Sequence, residues 1–132
     1  TPLYSSAASD VYKRQVEGPD FPQYHEFFGN IYEEVGSSID KLAEHIRALD
    51  AYVPGSFERL VTLSDIKGDD TLPAGLAMVE RLLQDNEALL KVLIDVYKQA
   101  EEVDRLGFSN FLQDRIEAHR KHSWMLRATA KR

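Results

Sequence analysis

The sequence has no cysteine, a single tryptophan, and only 7 glycines and 5 prolines among its 132 residues. Without thiols the chain cannot form a disulfide, a thiolate zinc site or a cysteine nucleophile, so we expect a reducing compartment, the cytoplasm. Its apolar runs fall far short of the roughly 20 residues that cross a bilayer, and residues 1–10 do not resemble a secretory signal. We therefore expect a cytoplasmic protein with no membrane contact. Because it does not begin with Met, we expect a fragment.

Positive charge is also scarce, because 16 basic residues stand against 22 acidic ones, a formal net charge of −6. A chain of this charge repels phosphate backbones, so nucleic-acid binding would need a local basic feature. Residues 17–50 hold eight acidic and two basic side chains, whereas residues 115–132 hold six basic and one acidic. DNA binding through Lys131 and Arg132 is only weakly indicated, since cations also favour the C-terminal end of a helix.

Helical periodicity is the strongest pattern in the chain. Apolar residues recur at spacings of three and four in three stretches, and no stretch shows sustained alternation of period two. They predict long helices over residues 21–49, 72–103 and 109–130, the last with Ser109 as its N-cap. In the long middle connection, Ser56 predicts the cap of a short helix that runs to about Ser64. The fold class is therefore all-α.

Three long helices are one fewer than a four-helix bundle requires. The missing helix should precede residue 21, yet residues 1–15 contain Ser-Ser-Ala-Ala-Ser and have weak helical periodicity. We therefore expect a four-helix bundle whose first helix is truncated or replaced.

Residues 16–132 resemble the Dps family of miniferritins. The resemblance is carried by Val16-Glu17-Gly18-Pro19-Asp20-Phe21, Tyr24-His25-Glu26-Phe27-Phe28, Asp40-Lys41-Leu42-Ala43-Glu44, Ala48-Leu49, and by His119 with Trp124-Met125-Leu126-Arg127. It implies a ferritin-like four-helix bundle with a short helix in the middle connection. It also implies a homododecameric cage that oxidises ferrous iron, stores the ferric product and protects DNA from oxidative damage.

Residues 1–15 do not share this resemblance. The family has His-Trp-Asn where this chain has Lys13, Arg14 and Gln15, and the string from Ser5 to Gln15 resembles a translated sequencing-adapter junction. We therefore expect residues 1–15 to be a non-family, artefactual segment and residues 16–132 to form the Dps-like domain. A His-Trp-Asn encoded upstream of Val16 in the genome would confirm it.

His25, Asp40 and Glu44 lie on one side of the first predicted helix, at about 100° per residue. His25 and Asp40 are nevertheless roughly 22 Å apart along the axis, so one chain cannot bring them to one ion. A second copy, packed antiparallel about a two-fold axis near residues 33–35, would place His25 opposite the other copy's carboxylates. An isolated monomer should then be unstable or aggregate through Phe27, Phe28 and Ile31.

The resemblance implies that these three residues are iron ligands of a ferroxidase site between subunits, with no separate catalytic residue. Two further ligand places of the family hold Lys13 and Gly29, which should weaken iron binding. An alternative is therefore a structural or DNA-protecting cage with weak or lost ferroxidase activity, and a second is a helical interaction module without metal. From the residues alone, a packed or solvated histidine and surface carboxylates are commoner than a metal site, and the i, i+3 pair His119 and His122 more often packs than chelates.

Overall fold

The computed structural model describes residues 2–52 and 74–131, with side chains from residue 8 onward. Four α-helices account for most of them: α1 Pro2–Gln15, α2 Phe21–Ala48, α3 Gly75–Glu102 and α4 Leu106–Ala130. The described ranges contain no strand, which confirms the predicted all-α class. The predicted short helix from Ser56 to Ser64 lies outside the described residues.

The ends of the three predicted helices agree with the sequence pattern to within three residues, but the predicted N-cap of α4 is wrong. This helix begins at Leu106, and its N-cap residue, Arg105, makes no side-chain capping bond. Ser109 was expected as the cap, but it lies inside the helix, where its backbone N–H donates to the Arg105 carbonyl at 2.9 Å. Its side chain is 5% exposed, so it faces the interior rather than a helix end.

Residues 2–15 form the helix α1, which corrects the expectation that this segment makes a poor first helix. Ser9 and Tyr12 are 0% and 2% exposed, and the Tyr12 ring centroid lies 6.0 Å from that of Phe28 on α2. Packing of this kind overrides a weak local pattern, because most helix stability in proteins comes from tertiary burial. The origin of the segment, and with it the boundary at residue 16, stays a prediction.

The chain divides into two compact units, Thr1–Met78 and Val79–Arg132. In the first, α1 and α2 are joined by a turn in which Gly18 has φ +112°, a conformation that L side chains rarely adopt. The first turn of α3 packs directly against α2. A Cβ added at Gly75 of this turn would lie only 2.8 Å from the Tyr24 ring of α2. Phe28 and Val35 are fully buried in α2. The turn thus sets the start of α2, the helix that carries His25.

In the second unit, the remainder of α3 packs on α4. Its most buried apolar side chains are Val79, Leu82, Leu112 and Leu126, each at most 1% exposed. A hydrogen bond also joins the two helices at their surface, where the Tyr97 hydroxyl of α3 accepts from Gln113 Nε2 of α4 at 2.9 Å. The same hydroxyl donates to the Glu101 carboxylate on α3. The hydrogen bond to the Glu101 carboxylate raises the pKa of Tyr97.

Helices α2 and α3 both end in a Schellman motif with aspartate at the left-handed position. Asp50 has φ 62° and Asp104 has φ 56°. After α3, the Asp104 N–H donates to the Glu101 carbonyl at 3.2 Å and the Arg105 N–H to the Ala100 carbonyl at 3.0 Å. Glycine is the usual residue at this position, because it has no Cβ to clash, and an acidic side chain is disfavoured at a helix C-terminus.

We expect Asp104→Gly to raise the free energy of unfolding by about 1 kcal/mol, since it removes both the left-handed strain and the unfavourable charge. Asp104→Asn should raise the free energy of unfolding by a smaller amount, because it removes the charge but keeps the Cβ. Urea unfolding at a fixed protein concentration measures both. If Asp104→Gly is no more stable than Asp104→Ala, which keeps a Cβ, the left-handed conformation carries no cost.

Candidate metal site on helix α2

His25 is half-buried near the start of α2, with its ring orientation set by the backbone of α1. Its Nδ1 lies 2.8 Å from the Lys13 carbonyl oxygen, and its ring centroid lies 5.1 Å from that of Phe21. A carbonyl only accepts, so Nδ1 carries the proton and the Nε2 of the neutral ring keeps its lone pair. Metal-ligating histidines have this same arrangement, in which the second nitrogen donates to a carbonyl or carboxylate.

Asp40 and Glu44 are exposed one turn apart on the C-terminal half of α2. No hydrogen bond or ion pair joins either carboxylate to another residue in the described parts of the chain. Like charges at i, i+4 repel each other, so both carboxylates would gain from a shared cation. Their position leaves them open to a ligand from outside the chain.

The three predicted ligands do not meet within one chain. His25 is 15 residues before Asp40 on a continuous helix, which is about 22 Å along its axis. In residues 2–52 and 74–131, no group of three histidine or acidic side chains is placed to hold a metal ion. The predicted set therefore forms a complete site only if two copies of α2 come together.

Partly exposed apolar residues on α2 mark the surface that a second copy would cover, and they differ from those expected. Phe28 and Ile31 are 0% and 3% exposed, so they belong to the chain's own core and are not available for aggregation. Phe21 and Tyr32 are instead 40% and 36% exposed. Both lie within about 40° of His25 around the helix. The burial pattern could not be read from periodicity alone, because the buried and the exposed apolar residues share one broad face of α2.

The Lys13 side chain fills the space beside Gly29. Gly29 is buried, and a Cβ built on it would lie 3.4 Å from Lys13 Cε and 3.6 Å from Nζ. Lys13 and Gly29, the two ligand places at which the chain departs from the family pattern, are thus in contact. The Lys13 ammonium lies beside the position where the family has a carboxylate and this chain has Gly29. An ammonium group at this point opposes the binding of a metal ion one turn from His25.

This contact determines the expected effect of Gly29→Asp. A Cβ fits at ordinary van der Waals distance, but the new carboxylate would pair with the Lys13 ammonium instead of remaining open to a metal. We expect Gly29→Asp alone to raise thermal stability and leave ferrous-ion affinity nearly unchanged. Combined with Lys13→His it should raise that affinity about tenfold or more, because a cation is replaced by a neutral ligand and an anionic ligand is added.

Isothermal titration with ferrous ion under anaerobic conditions compares Gly29→Asp, Lys13→His and the double variant, written K13H/G29D below. The control is Glu26→Asp, a nearby exposed position on α2. If Gly29→Asp alone matches the double variant, the contact between Lys13 and Gly29 does not control the site.

The second candidate pair, His119 and His122 on α4, does not form a chelate. His119 is 0% exposed; its Nδ1 donates to Asn86 Oδ1 at 2.8 Å, and its Nε2 accepts from Arg115 Nη2 at 2.8 Å. Asn86 Nδ2 in turn donates to the His119 carbonyl and to Ser123 Oγ. Both ring nitrogens are therefore occupied by structural hydrogen bonds. Sequence reasoning missed Asn86, because a single asparagine within a helical pattern gives no signal.

The basic C-terminal region is less basic on its surface than its sequence indicates. Arg115 is 8% exposed and belongs to the His119 network, whereas Arg127 Nη1 is paired with Glu87 Oε1 at 3.0 Å. Arg120, Lys121 and Lys131 are exposed. No helix in the described ranges is long and apolar enough to span a bilayer.

A family model described as a ferritin-like domain matches residues 3–132. The chain is 36% identical over 121 residues to an uncharacterized low temperature-induced protein of Nostoc sp., covering 89% of this chain and 66% of that protein. It is 31% identical over 113 residues to DNA protection during starvation protein 2 of Bacillus anthracis, covering 86% of this chain and 77% of that protein. The chain thus spans just under two thirds of the length of the Nostoc relative.

Solved structures with the same fold cover nearly the whole chain. A Dps protein from Vibrio cholerae O1, named as a member of a broad superfamily of ferritin-like diiron-carboxylate proteins, superposes with a TM-score of 0.94 at 28% identity. That match covers 98% of this chain and 82% of the other. Dps from Staphylococcus aureus has the same fold with a TM-score of 0.94 at 23% identity, over 99% of this chain and 88% of that one.

Proposed function

Because this chain belongs to the Dps family of ferritin-like proteins and has their all-α four-helix-bundle fold, we propose that it is a miniferritin that assembles as a homododecameric cage. In this proposal the cage binds ferrous iron, oxidises it and stores the ferric product. Removing ferrous iron from solution limits its reaction with peroxide, and so protects DNA from oxidative damage. The names of the relatives, which include DNA protection during starvation, support this last part.

The proposed site lies between two copies and uses His25 of one with Asp40 and Glu44 of the other. The arrangement of His25 supports it most directly, since the Lys13 carbonyl holds Nδ1 and leaves Nε2 as the available ligand. A second copy must supply the carboxylates, because those of the same helix are too far away. An antiparallel pairing about a two-fold axis creates two equivalent sites, as an isologous interface requires.

The residues of this site suit ferrous iron as a substrate. One imidazole and two carboxylates form a mixed nitrogen and oxygen set that suits Fe(II), with coordination positions left open. Asp40 and Glu44 would favour the ferric product, because its higher charge is attracted more strongly by two anions. Each ferrous ion loses one electron to a dissolved oxidant, dioxygen or a peroxide. Two ferrous ions and two protons thus reduce one hydrogen peroxide to two waters.

Iron loading of the purified assembly tests the proposal. Ferrous iron is added anaerobically, then dioxygen or hydrogen peroxide, and ferric absorbance is followed together with assembly size in the ultracentrifuge. We expect a cage-sized particle that oxidises iron faster than buffer alone and retains the ferric product. A particle of one or two chains would contradict the cage, and precipitation of the iron outside the protein would contradict storage.

A cage with weak or lost ferroxidase activity is the second candidate, and the contact between Lys13 and Gly29 favours it. In that case the assembly forms, but its oxidation rate equals that of buffer. The K13H/G29D variant tests whether these two positions are the cause of a weak or lost ferroxidase activity. If they are, the variant oxidises iron faster than the unmodified chain does. Direct DNA binding remains weakly supported, because the net charge is −6 and only part of the basic region is available.

A further inference from the structure

An open groove lies along the surface of the second unit, between α3 and α4. Its volume is about 360 Å³, and its lining residues include Leu90, Lys91 and Ile94 of α3, and Arg120 of α4. Sites for small molecules span roughly 300–1,000 Å³, so the groove has the size for one compact ligand. None of these residues belongs to the proposed iron site on α2.

The groove is electropositive in a chain that is acidic as a whole. Three cations, Lys91, Arg120 and Arg127, line it against a single carboxylate, Glu87. Glu87 is already paired with Arg127 at 3.0 Å. Lys91 and Arg120 are exposed and make no hydrogen bond or ion pair with the described residues. Two cations therefore line the same groove from opposite helices without a counter-ion among the described residues.

The floor of the groove is apolar. Leu90 is 6% exposed, and Ile94 lies one turn further along the same face of α3. Ser123 also lines the groove, and its hydroxyl oxygen accepts from Asn86 inside the unit. A ligand that fits must therefore carry negative charge at one end and an apolar body at the other.

We propose that this groove binds a phosphate monoester, with the phosphate between Lys91 and Arg120 and the organic part on Leu90 and Ile94. A monoester carries close to two negative charges at neutral pH, which matches Lys91 and Arg120, the two cations of the groove that are unpaired within residues 2–52 and 74–131. The planar guanidinium of Arg120 can bind two phosphate oxygens at once, while Lys91 acts as a point charge. This site is independent of iron oxidation and requires only that the chain folds.

The single tryptophan of the chain provides the readout. Trp124 is 61% exposed and lies one turn after Arg120 on α4. Its fluorescence in the assembled full-length protein is followed at low ionic strength while phenyl phosphate, inorganic phosphate or a short single-stranded DNA is added. Equilibrium dialysis of the same probes measures binding that the fluorescence does not detect. We expect saturable binding, tighter for phenyl phosphate than for inorganic phosphate because of the apolar floor.

Arg120→Met should weaken phenyl phosphate binding about tenfold or more, since it removes a charge-assisted contact. Lys121→Met is the matched control: it removes the same charge from the next residue, which is exposed but does not line the groove. Ile94→Ser should weaken phenyl phosphate and leave inorganic phosphate unchanged. The proposal is wrong if neither method detects binding, if Lys121→Met weakens it as much as Arg120→Met, or if only DNA binds.

Discussion

Asp40→Asn combined with Glu44→Gln should lower the rate of ferrous oxidation at least about tenfold in the K13H/G29D variant, without changing the assembly. Both substitutions preserve side-chain shape and remove the two anionic ligands on which metal affinity depends. Both positions are exposed and make no bond with the described residues, so the fold should tolerate the change. Stopped-flow absorbance of the ferric product, with iron loaded anaerobically beforehand, gives the rate.

Asp114→Asn combined with Glu117→Gln is the matched control for this experiment. It removes two carboxylates from exposed positions one turn apart on α4, and neither belongs to the proposed site on α2. Its oxidation rate should equal that of the K13H/G29D variant. If the Asp40 and Glu44 variant also matches this rate, the two carboxylates are only surface charges and the ferroxidase assignment fails for this protein.

Asn86→Ala should lower the free energy of unfolding by about 3 kcal/mol, the largest stability effect that we expect from one substitution outside the apolar core. Asn86 makes three hydrogen bonds within the unit, and its loss leaves the buried His119 Nδ1–H and carbonyl without these partners. Each buried polar group left unsatisfied costs about 1–3 kcal/mol. Urea unfolding followed by circular dichroism, at a fixed protein concentration, measures the loss.

Gln84→Ala is the control, because it removes an exposed amide two residues earlier on α3. We expect a change of less than about 0.5 kcal/mol there, as for most surface substitutions. Equal losses in the two variants would show that the Asn86 network does not stabilise the chain. Because Asn86 makes its three hydrogen bonds within the second unit and none with α2, Asn86→Ala should also leave the anaerobic affinity for ferrous iron unchanged where the fold survives.

The three long helices could be predicted from the sequence because each places apolar side chains at helical spacing over many turns. Helix α1 could not, since its stability depends on the burial of Ser9 and Tyr12 and not on a periodic pattern of its own. The N-cap of α4 was missed for a similar reason. A serine near a predicted boundary is a cap only if its backbone lies at the helix end, and Ser109 lies inside.

The candidate site was only partly predictable. Helical geometry places His25, Asp40 and Glu44 on one side of α2 and shows that one chain cannot join them. The hydrogen bond that orients His25 comes from a backbone carbonyl 12 residues earlier, which no pattern of side chains indicates. The contact of Lys13 with Gly29 likewise arises from the packing of α1 on α2. Lys13 and Gly29 are far apart in the sequence, but together they change the charge at one place in the structure.

Mixed assembly tests most directly whether the iron site is shared between two copies. Two inactive proteins are prepared in the K13H/G29D background, one with His25→Ala and the other with Asp40→Asn and Glu44→Gln. They carry different affinity tags, are unfolded and co-assembled in equal amounts, and particles that carry both tags are isolated. Random pairing makes half of the dimers mixed, and each mixed dimer has one complete site.

We therefore expect the mixed particles to recover about a quarter of the oxidation rate per chain of the K13H/G29D protein, from two components that are each inactive alone. Mixed particles that remain as inactive as their components would contradict a site formed by His25 of one copy with Asp40 and Glu44 of another.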